Sequence, residues 1–149
     1  MKEIYHSEKI DDTKRLAEET AEWITKQDPE QALVVALIGE LGSGKTTFVQ
    51  YLANFMGVQE KILSPTFVIL KKFDLPEGNF DNFYHIDCYR IEENEELLKL
   101  DFGKIIEDPT NIVVIEWADK IEPILPTHYL KMEFKVVGEK ERKIKSKVI

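Results

Sequence analysis

The sequence is poor in cysteine and has no long apolar run. Its 149 residues include one cysteine, Cys88, so an internal disulfide is excluded, and no cysteine and histidine cluster predicts a zinc site. No apolar stretch approaches the roughly 18 to 20 residues that span a bilayer. Residues 1–12 also lack the apolar core of a signal peptide. We therefore expect a cytoplasmic protein that does not associate with membranes.

Basic residues, and arginine above all, are scarce. Twenty lysines and arginines against 28 aspartates and glutamates give a net charge of −8, and only three of the 20 are arginine. A protein that holds nucleic acid through its phosphates usually carries a basic surface. This charge balance argues against RNA or DNA as a tightly held sole ligand.

The length and composition are typical of one folded domain. Apolar residues make up 43% of the chain and aromatic residues 10%, which excludes global disorder. A chain of this length can bury a core without disulfides. The sequence has no repeat and no linker, so we predict a single domain over residues 1–149.

Apolar patterning predicts an alternation of helices and strands. Helices are predicted over 10–26, 46–56 and 92–100. Strands are predicted over 32–38, 66–73, 82–91, 111–115, 129–137 and 142–149. Strands 32–38 and 111–115 are continuously apolar, as parallel strands buried on both faces are, whereas the short connections after 73 and 137 predict antiparallel hairpins. We expect an α/β fold with a mixed parallel and antiparallel sheet flanked by helices.

The clearest chemical motif is a complete phosphate-binding loop, G-x-x-x-x-G-K-[ST]. Its residues are Gly39, Glu40, Leu41, Gly42, Ser43, Gly44, Lys45 and Thr46. A predicted buried strand precedes the motif and a predicted helix follows it, which is the context that the motif requires. Its glycines let consecutive N–H groups turn toward phosphate oxygens, so we predict that Lys45 binds the β- and γ-phosphates and that the Thr46 hydroxyl binds Mg²⁺. The alternative is a glycine-rich turn with an exposed lysine.

Two carboxylates are candidates for the remaining metal chemistry. Glu116 ends an apolar strand, where phosphate-loop enzymes place an acidic residue that holds Mg²⁺ directly or through water. The alternative for Glu116 is a solvated residue at a strand end. Asp87 shares a predicted strand face with His85 and Tyr89, so it would orient attacking water or bind the water shell of the metal. The alternative for these three residues is a structural hydrogen-bonded ladder.

Thr66 and Trp117 are two further candidates. Thr66 follows a proline-stiffened turn, and a threonine in such a loop can sense a γ-phosphate by reaching Mg²⁺, although Ser-Pro-Thr alone indicates only a turn before a strand. Trp117 follows the candidate metal carboxylate. It belongs either to the core or to the wall of the site, and in the second case its fluorescence would report nucleotide binding.

Several phosphate-loop classes are disfavoured by what the sequence lacks. The N-K-x-D and D-x-x-G strings of GTPases are missing, and the Asp-Phe-Gly at 101–103 has no accompanying protein-kinase motif. Small-molecule kinases cover the phosphates with a lid and neutralise them with several arginines. This chain has only three arginines, which argues against that class. We expect slow intrinsic hydrolysis that depends on a partner. A small-molecule kinase and a nucleotide-gated assembly module remain alternatives.

Four motifs, GELGSGKTT, SPTF, HIDCYR and IEWADKI, occur in this order and closely resemble the bacterial TsaE (YjeE) family over nearly the whole chain. Members of that family are ATPases required for threonylcarbamoyladenosine (t6A) formation at position 37 of tRNA. The resemblance implies a P-loop NTPase-like domain that binds ATP and Mg²⁺. It also implies TsaB-like and TsaD-like partners, with tRNA reached indirectly through the complex, and ATP hydrolysis that resets this complex between turnovers.

The resemblance further implies roles for individual residues. The segment from Gly42 to Thr47, which contains Lys45, would surround the phosphates. Thr46 and Glu116 would be the metal ligands. Thr66 and Asp87 match the residues implicated in hydrolysis. Ser7, Thr13 and Arg142 lie where family members contact adenine, ribose or phosphate. Ser43 replaces a frequent alanine and Cys88 fills a variable position, and neither change affects a proposed ligand.

The C-terminal segment is more basic than the rest of the chain. Residues 131–149 contain seven basic and three acidic side chains. They would contact tRNA phosphates or an acidic partner, or else the lysines would protect a solvated edge strand.

Overall fold

A seven-stranded mixed sheet forms the centre of the computed structural model, which describes residues 1–63 and 69–149. The strands are β1 Ile4–Ser7, β2 Leu33–Gly39, β3 Leu70–Asp74, β4 Asn82–Asp87, β5 Asn111–Glu116, β6 Leu130–Val136 and β7 Arg142–Val148. Their order across the sheet is β1-β7-β6-β2-β5-β4-β3. The central strands β6, β2, β5 and β4 are parallel, whereas β3, β7 and β1 each pair antiparallel with their neighbours. The expected α/β class with a mixed sheet is confirmed.

Helices cover both faces of the sheet. They are α1 Ile10–Thr25, α2 Lys45–Met56, α3 Asn94–Leu98, α4 Phe102–Glu107 and a 3₁₀ helix over Ala118–Ile124. Side chains of a strand alternate between faces, so Val35 and Leu37 of β2 pack in one core with α1 and α2, while Val34 and Ala36 pack in the other core with α3, α4 and the 3₁₀ helix. This burial on both faces explains why the β2 sequence is continuously apolar.

Two glycines define the ends of α2. Gly44 precedes its first residue with φ 101°, and Gly57 follows its last residue with φ 99°. Both values lie in the left-handed region, which favours glycine because it has no Cβ. The N-terminus of α2 is therefore fixed within the phosphate-binding motif, at Lys45.

Several predicted boundaries differ from those of the structure. The strand predicted over 82–91 ends at Asp87, because the chain turns after it and the N–H of Ile91 donates to the Cys88 carbonyl. The helix predicted over 92–100 is shorter, and the strand predicted from residue 66 is described only from Leu70, since residues 64–68 lie outside the described part of the chain. The short elements β1, α4 and the 3₁₀ helix were not predicted.

The C-terminal hairpin forms as predicted, but the interpretation of its lysines as protection for an edge strand is wrong for residues 142–145. β6 and β7 pair antiparallel, and β1 then pairs with residues 142–145 of β7. This half of β7 is consequently an inner strand and needs no protection as an edge.

Within residues 1–63 and 69–149, none of the helices combines the length and the apolar character needed to cross a membrane.

We predict that Phe48→Ala destabilises the fold by about 3–5 kcal/mol, because it removes a fully buried ring and leaves a cavity. Phe48 lies on α2 and packs edge-on against Phe134 of β6, with ring centroids 5.6 Å apart. Urea unfolding measures the loss. The matched control is Asn54→Ala, an exposed position on the same helix, which should change stability by less than about 0.5 kcal/mol. A loss below about 1 kcal/mol for Phe48→Ala would contradict this packing.

Candidate nucleotide-binding site

Three parallel strands end at one edge of the sheet and bring the predicted site residues together. β2 leads into the phosphate-binding motif, β5 ends at Glu116 and β4 ends at Asp87. The register pairs Leu37 of β2 with Glu116, and Asp87 with Glu116. Ligands of open α/β sheets bind at this carboxyl edge of the strands. The predicted loop and the two predicted carboxylates are therefore neighbours.

Glycine is required at three positions of the loop. Gly42 has φ 77° and Gly44 has φ 101°, both in the left-handed region. A Cβ on Gly39 would lie 2.6 Å from the carbonyl oxygen of Phe134, a backbone atom that cannot move aside cheaply. Glu40 and Leu41 form the exposed tip of the loop. The loop backbone thus approaches β6 closely at its base and is open at its tip.

Lys45 lies buried at the base of the loop. Its side chain is folded under the loop, and the residue is only 4% exposed, so the alternative of an exposed lysine is wrong. Its ammonium group donates hydrogen bonds to the carbonyl oxygens of Gly39 at 2.5 Å and Glu40 at 2.9 Å, and to the Ser43 hydroxyl at 3.3 Å. The ammonium nitrogen also lies 4.3 Å from the ring centroid of Trp117. Burial lowers the pKa of Lys45, against the opposing effect of nearby carboxylates.

Glu116 is buried, and each of its carboxylate oxygens lies within hydrogen-bond distance of another side chain. The Thr46 hydroxyl, at the start of α2, donates to Oε1 at 2.7 Å. His85 Nε2, on β4, lies 2.6 Å from Oε2. Because Glu116 is 2% exposed, the alternative of a solvated strand end is wrong. The contact with His85 was not predicted, since it depends on the pairing of two strands that are distant in sequence.

Thr46 and Glu116 fit a cation that arrives with a phosphate ligand. The residues that the structure describes contain no cluster of three His, Cys, Asp or Glu side chains able to hold a metal by themselves. Mg²⁺ commonly takes one or two protein oxygens and completes its octahedron with water and substrate phosphates. A hydroxyl and a carboxylate 2.7 Å apart beside a phosphate-binding loop match that donor set.

Asp87 is half-buried at the end of β4, next to Glu116. Burial raises the pKa of Asp87 and the charge of Glu116 raises it further, while the N–H of Tyr89, which donates to Oδ1 at 3.0 Å, lowers it. Tyr89 itself has left the strand and packs against Trp117, with ring centroids 5.1 Å apart. The prediction that His85, Asp87 and Tyr89 share one face of the strand is therefore wrong for Tyr89. Only His85 and Asp87 share that face.

Trp117 forms part of the wall of the site. Its backbone is left-handed, with φ 57°, which is rare for a large side chain. The indole contacts Lys45 on one side and lies 5.7 Å from the Lys120 ammonium nitrogen. Trp117 also packs against the core that contains α3 and α4, so both interpretations describe it. Thr66, the other flanking candidate, lies outside the described residues.

The N-terminal segment and the C-terminal hairpin meet beside the loop. Arg142 donates to the carbonyl oxygen of Gly42 at 3.1 Å and to that of Gly138 at 3.1 Å. Ser7 of β1 pairs with Arg142 in the sheet register, and its buried hydroxyl lies 3.2 Å from that of Thr13 on α1. Arg142 thus contacts the loop directly, Ser7 and Thr13 are connected to it through β7, and Thr47 occupies the first turn of α2.

Comparison with known proteins gives consistent similarities over most of the chain. The family model for the threonylcarbamoyl adenosine biosynthesis protein TsaE matches residues 7–144. A protein of Treponema pallidum named tRNA threonylcarbamoyladenosine biosynthesis protein TsaE is 33% identical over 87% of this chain and 94% of its own length. The Bacillus subtilis protein of the same name is 36% identical over 90% of this chain and 78% of its own. The crystal structure of Bacillus subtilis YdiB superposes with a TM-score of 0.70 at 29% identity, over 98% of this chain and 85% of that one.

We predict that Asp87→Asn stabilises the protein at pH 7 and that this gain shrinks as the pH falls toward 4. The folded state raises the pKa of Asp87 above its ordinary value of 3.8, so ionisation of the wild-type carboxyl destabilises the folded state as the pH rises through the folded pKa. Asparagine stays neutral throughout. Urea unfolding at both pH values measures the effect, with the exposed Asp74→Asn as control. A gain that is equal at both pH values would contradict it.

Proposed function

The chain belongs to the TsaE family, and on that premise we propose that it is the Mg²⁺-dependent, ATP-binding and ATP-hydrolysing subunit required for t6A formation at position 37 of tRNA. The observation that carries this proposal is the arrangement of the buried Lys45 and Glu116 and the partly buried Thr46 at a complete phosphate-binding loop. The names of two relatives, at 33% and 36% identity, support a role in tRNA modification. The site geometry supports the nucleotide chemistry.

Lys45 and the loop would bind the triphosphate. The Lys45 ammonium group is already directed at the base of the loop, where its partners are neutral carbonyl oxygens and a hydroxyl. A phosphate oxygen is a stronger acceptor for a cation because the hydrogen bond is charge-assisted. The twelve-residue helix α2 adds the partial positive charge of its N-terminus at Gly44 and Lys45. Ser7, Thr13 and Arg142, beside the loop, are proposed to contact the nucleoside or a phosphate.

Thr46 and Glu116 would hold the Mg²⁺ that accompanies the nucleotide. When bound, this ion supplies charge neutralisation at the phosphate oxygens. We assign Asp87 to the orientation of the attacking water, because its carboxylate ends the strand beside Glu116 and its raised pKa makes it a better proton acceptor than an ordinary aspartate. Thr66 keeps its proposed role as the residue that senses the γ-phosphate.

Partners would complete the site and couple it to tRNA. The chain has three arginines, and Arg142 is held by backbone carbonyls at the loop and the β6–β7 turn. A site poor in arginine is expected to hydrolyse ATP slowly until a partner adds further groups. The proposed partners are a TsaB-like and a TsaD-like protein, with tRNA reached through that complex, in agreement with the net charge of −8. We propose that residues 1–149 form a single cytoplasmic ATPase domain.

Lys45→Ala should reduce the affinity for Mg²⁺·ATP by roughly 100-fold, since the polyphosphate loses several charge-assisted hydrogen bonds. Calorimetry measures the binding, and circular dichroism checks that the variant is folded. The matched control is Lys104→Ala, an exposed lysine on α4 at the opposite face of the sheet, which should bind as the wild type does. If wild-type protein, alone and with its partners, gave no heat with Mg²⁺·ATP, the proposed function would be wrong.

A multiple-turnover assay of tRNA modification separates the proposed ATPase from its two alternatives. With the TsaB-like and TsaD-like proteins present, ATP should support many rounds, whereas a nonhydrolysable analogue should stop near one t6A per complex. Asp87→Ala should bind ATP normally yet behave as the analogue does. Many rounds with the analogue would instead indicate an assembly module, and a phosphorylated metabolite would indicate a kinase.

A further inference from the structure

Among the residues that the structure describes, two side chains from different elements contact the Glu116 carboxylate, and the proposed function uses only one of them. Thr46, from α2, lies at one carboxylate oxygen, and His85, from β4, lies at the other. His85 is 2% exposed, as Glu116 is, so water has little access to the contact between these two side chains. The orientation of this carboxylate therefore depends on a residue that the proposed function leaves without a role.

The strand register explains how His85 reaches Glu116. Across β4 and β5, His85 is directly opposite Val114, and Glu116 is directly opposite Asp87. His85 and Glu116 are thus diagonal neighbours on one face of the sheet, within reach of long side chains. The direct neighbour, Asp87, instead accepts the N–H of Tyr89. The contact between His85 and Glu116 therefore does not follow from direct pairing of the two residues across the strands.

The chemistry of the two oxygens differs. A carboxylate that binds a cation is ionised and only accepts hydrogen bonds, so in that state the imidazole contributes an N–H at Nε2. Oε2 is then occupied by His85, and Oε1 is the oxygen that faces the Thr46 hydroxyl, 2.7 Å away. Imidazole is a poor ligand for Mg²⁺, which prefers oxygen. His85 is therefore suited to hold the carboxylate and not to bind the cation itself.

We propose that His85 is a positioning residue, whose Nε2–H fixes Oε2 of Glu116 so that Oε1 is presented beside Thr46 to the cation that accompanies the nucleotide. This inference rests on the proposed function. Partners that orient metal-binding carboxylates typically contribute 10- to 100-fold to metal affinity. The alternative is that His85 only fills space in the core.

The test compares His85→Leu, which keeps the volume and removes the donor, with His85→Gln, whose amide nitrogen reaches the position of Nε2. The measured quantity is the affinity for a nonhydrolysable ATP analogue in Mg²⁺ divided by its affinity in a chelator. We expect His85→Leu to lower this ratio at least about 10-fold with little change in the chelator, and His85→Gln to stay within about 3-fold of wild type. Tyr84→Phe, on the opposite face of β4, should leave the ratio unchanged.

If His85 were merely structural, its substitution would lower the affinity for the analogue equally with and without Mg²⁺, or the leucine and glutamine variants would be affected alike. Either result overturns the inference. Thermal unfolding checks that each variant is folded, and His85→Asn, polar but too short to reach Glu116, replaces the leucine variant if that one does not fold. A wild-type chain without any enhancement by Mg²⁺ would overturn the proposed function together with this inference. A wild-type enhancement that survives in the donor-lacking variant would overturn the inference alone.

Discussion

The buried carboxylate of Glu116 is the constraint on which the rest of the site depends. A buried charge is tolerated only when its oxygens are hydrogen-bonded, and here one donor comes from the first turn of α2 and the other from β4. Satisfying Glu116 therefore fixes the N-terminus of α2 against the ends of β5 and β4. The phosphate-binding loop, which joins β2 to α2, is placed by the same contacts.

The topology of the sheet concentrates the functional groups at one edge. β2, β5 and β4 are parallel neighbours, so the loop, Glu116 and Asp87 meet without any contribution from the antiparallel strands. The antiparallel strands do something different. Of these, β7 and β1 extend the sheet beyond β6, and Arg142 at the start of β7 donates to the loop at Gly42. β7 is thus in direct contact with the loop, and β1 is connected to the loop through its pairing with β7.

Local sequence patterns predicted the centre of the fold and the candidate residues that meet at one edge of the sheet, namely the loop, Glu116 and Asp87. The continuously apolar β2 and β5 are buried on both faces, and the spacing of the loop motif required the strand and helix that flank it. Other features leave no recognisable local pattern and were not predicted. The end of β4 at Asp87 depends on a turn that closes at Ile91, and β1 is too short to show a pattern. The bond between His85 and Glu116 depends on the register of two strands, which no local spacing reveals.

The most direct test of the account is a crystal structure of the protein with a nonhydrolysable ATP analogue and Mn²⁺ in place of Mg²⁺, located by its anomalous signal. The account predicts phosphate density inside the loop from Gly39 to Thr46 and a manganese peak beside the Thr46 hydroxyl and the Glu116 carboxylate. His85 should still contact the far oxygen of that carboxylate. A nucleotide bound elsewhere, or a manganese peak distant from Thr46 and Glu116, would contradict it.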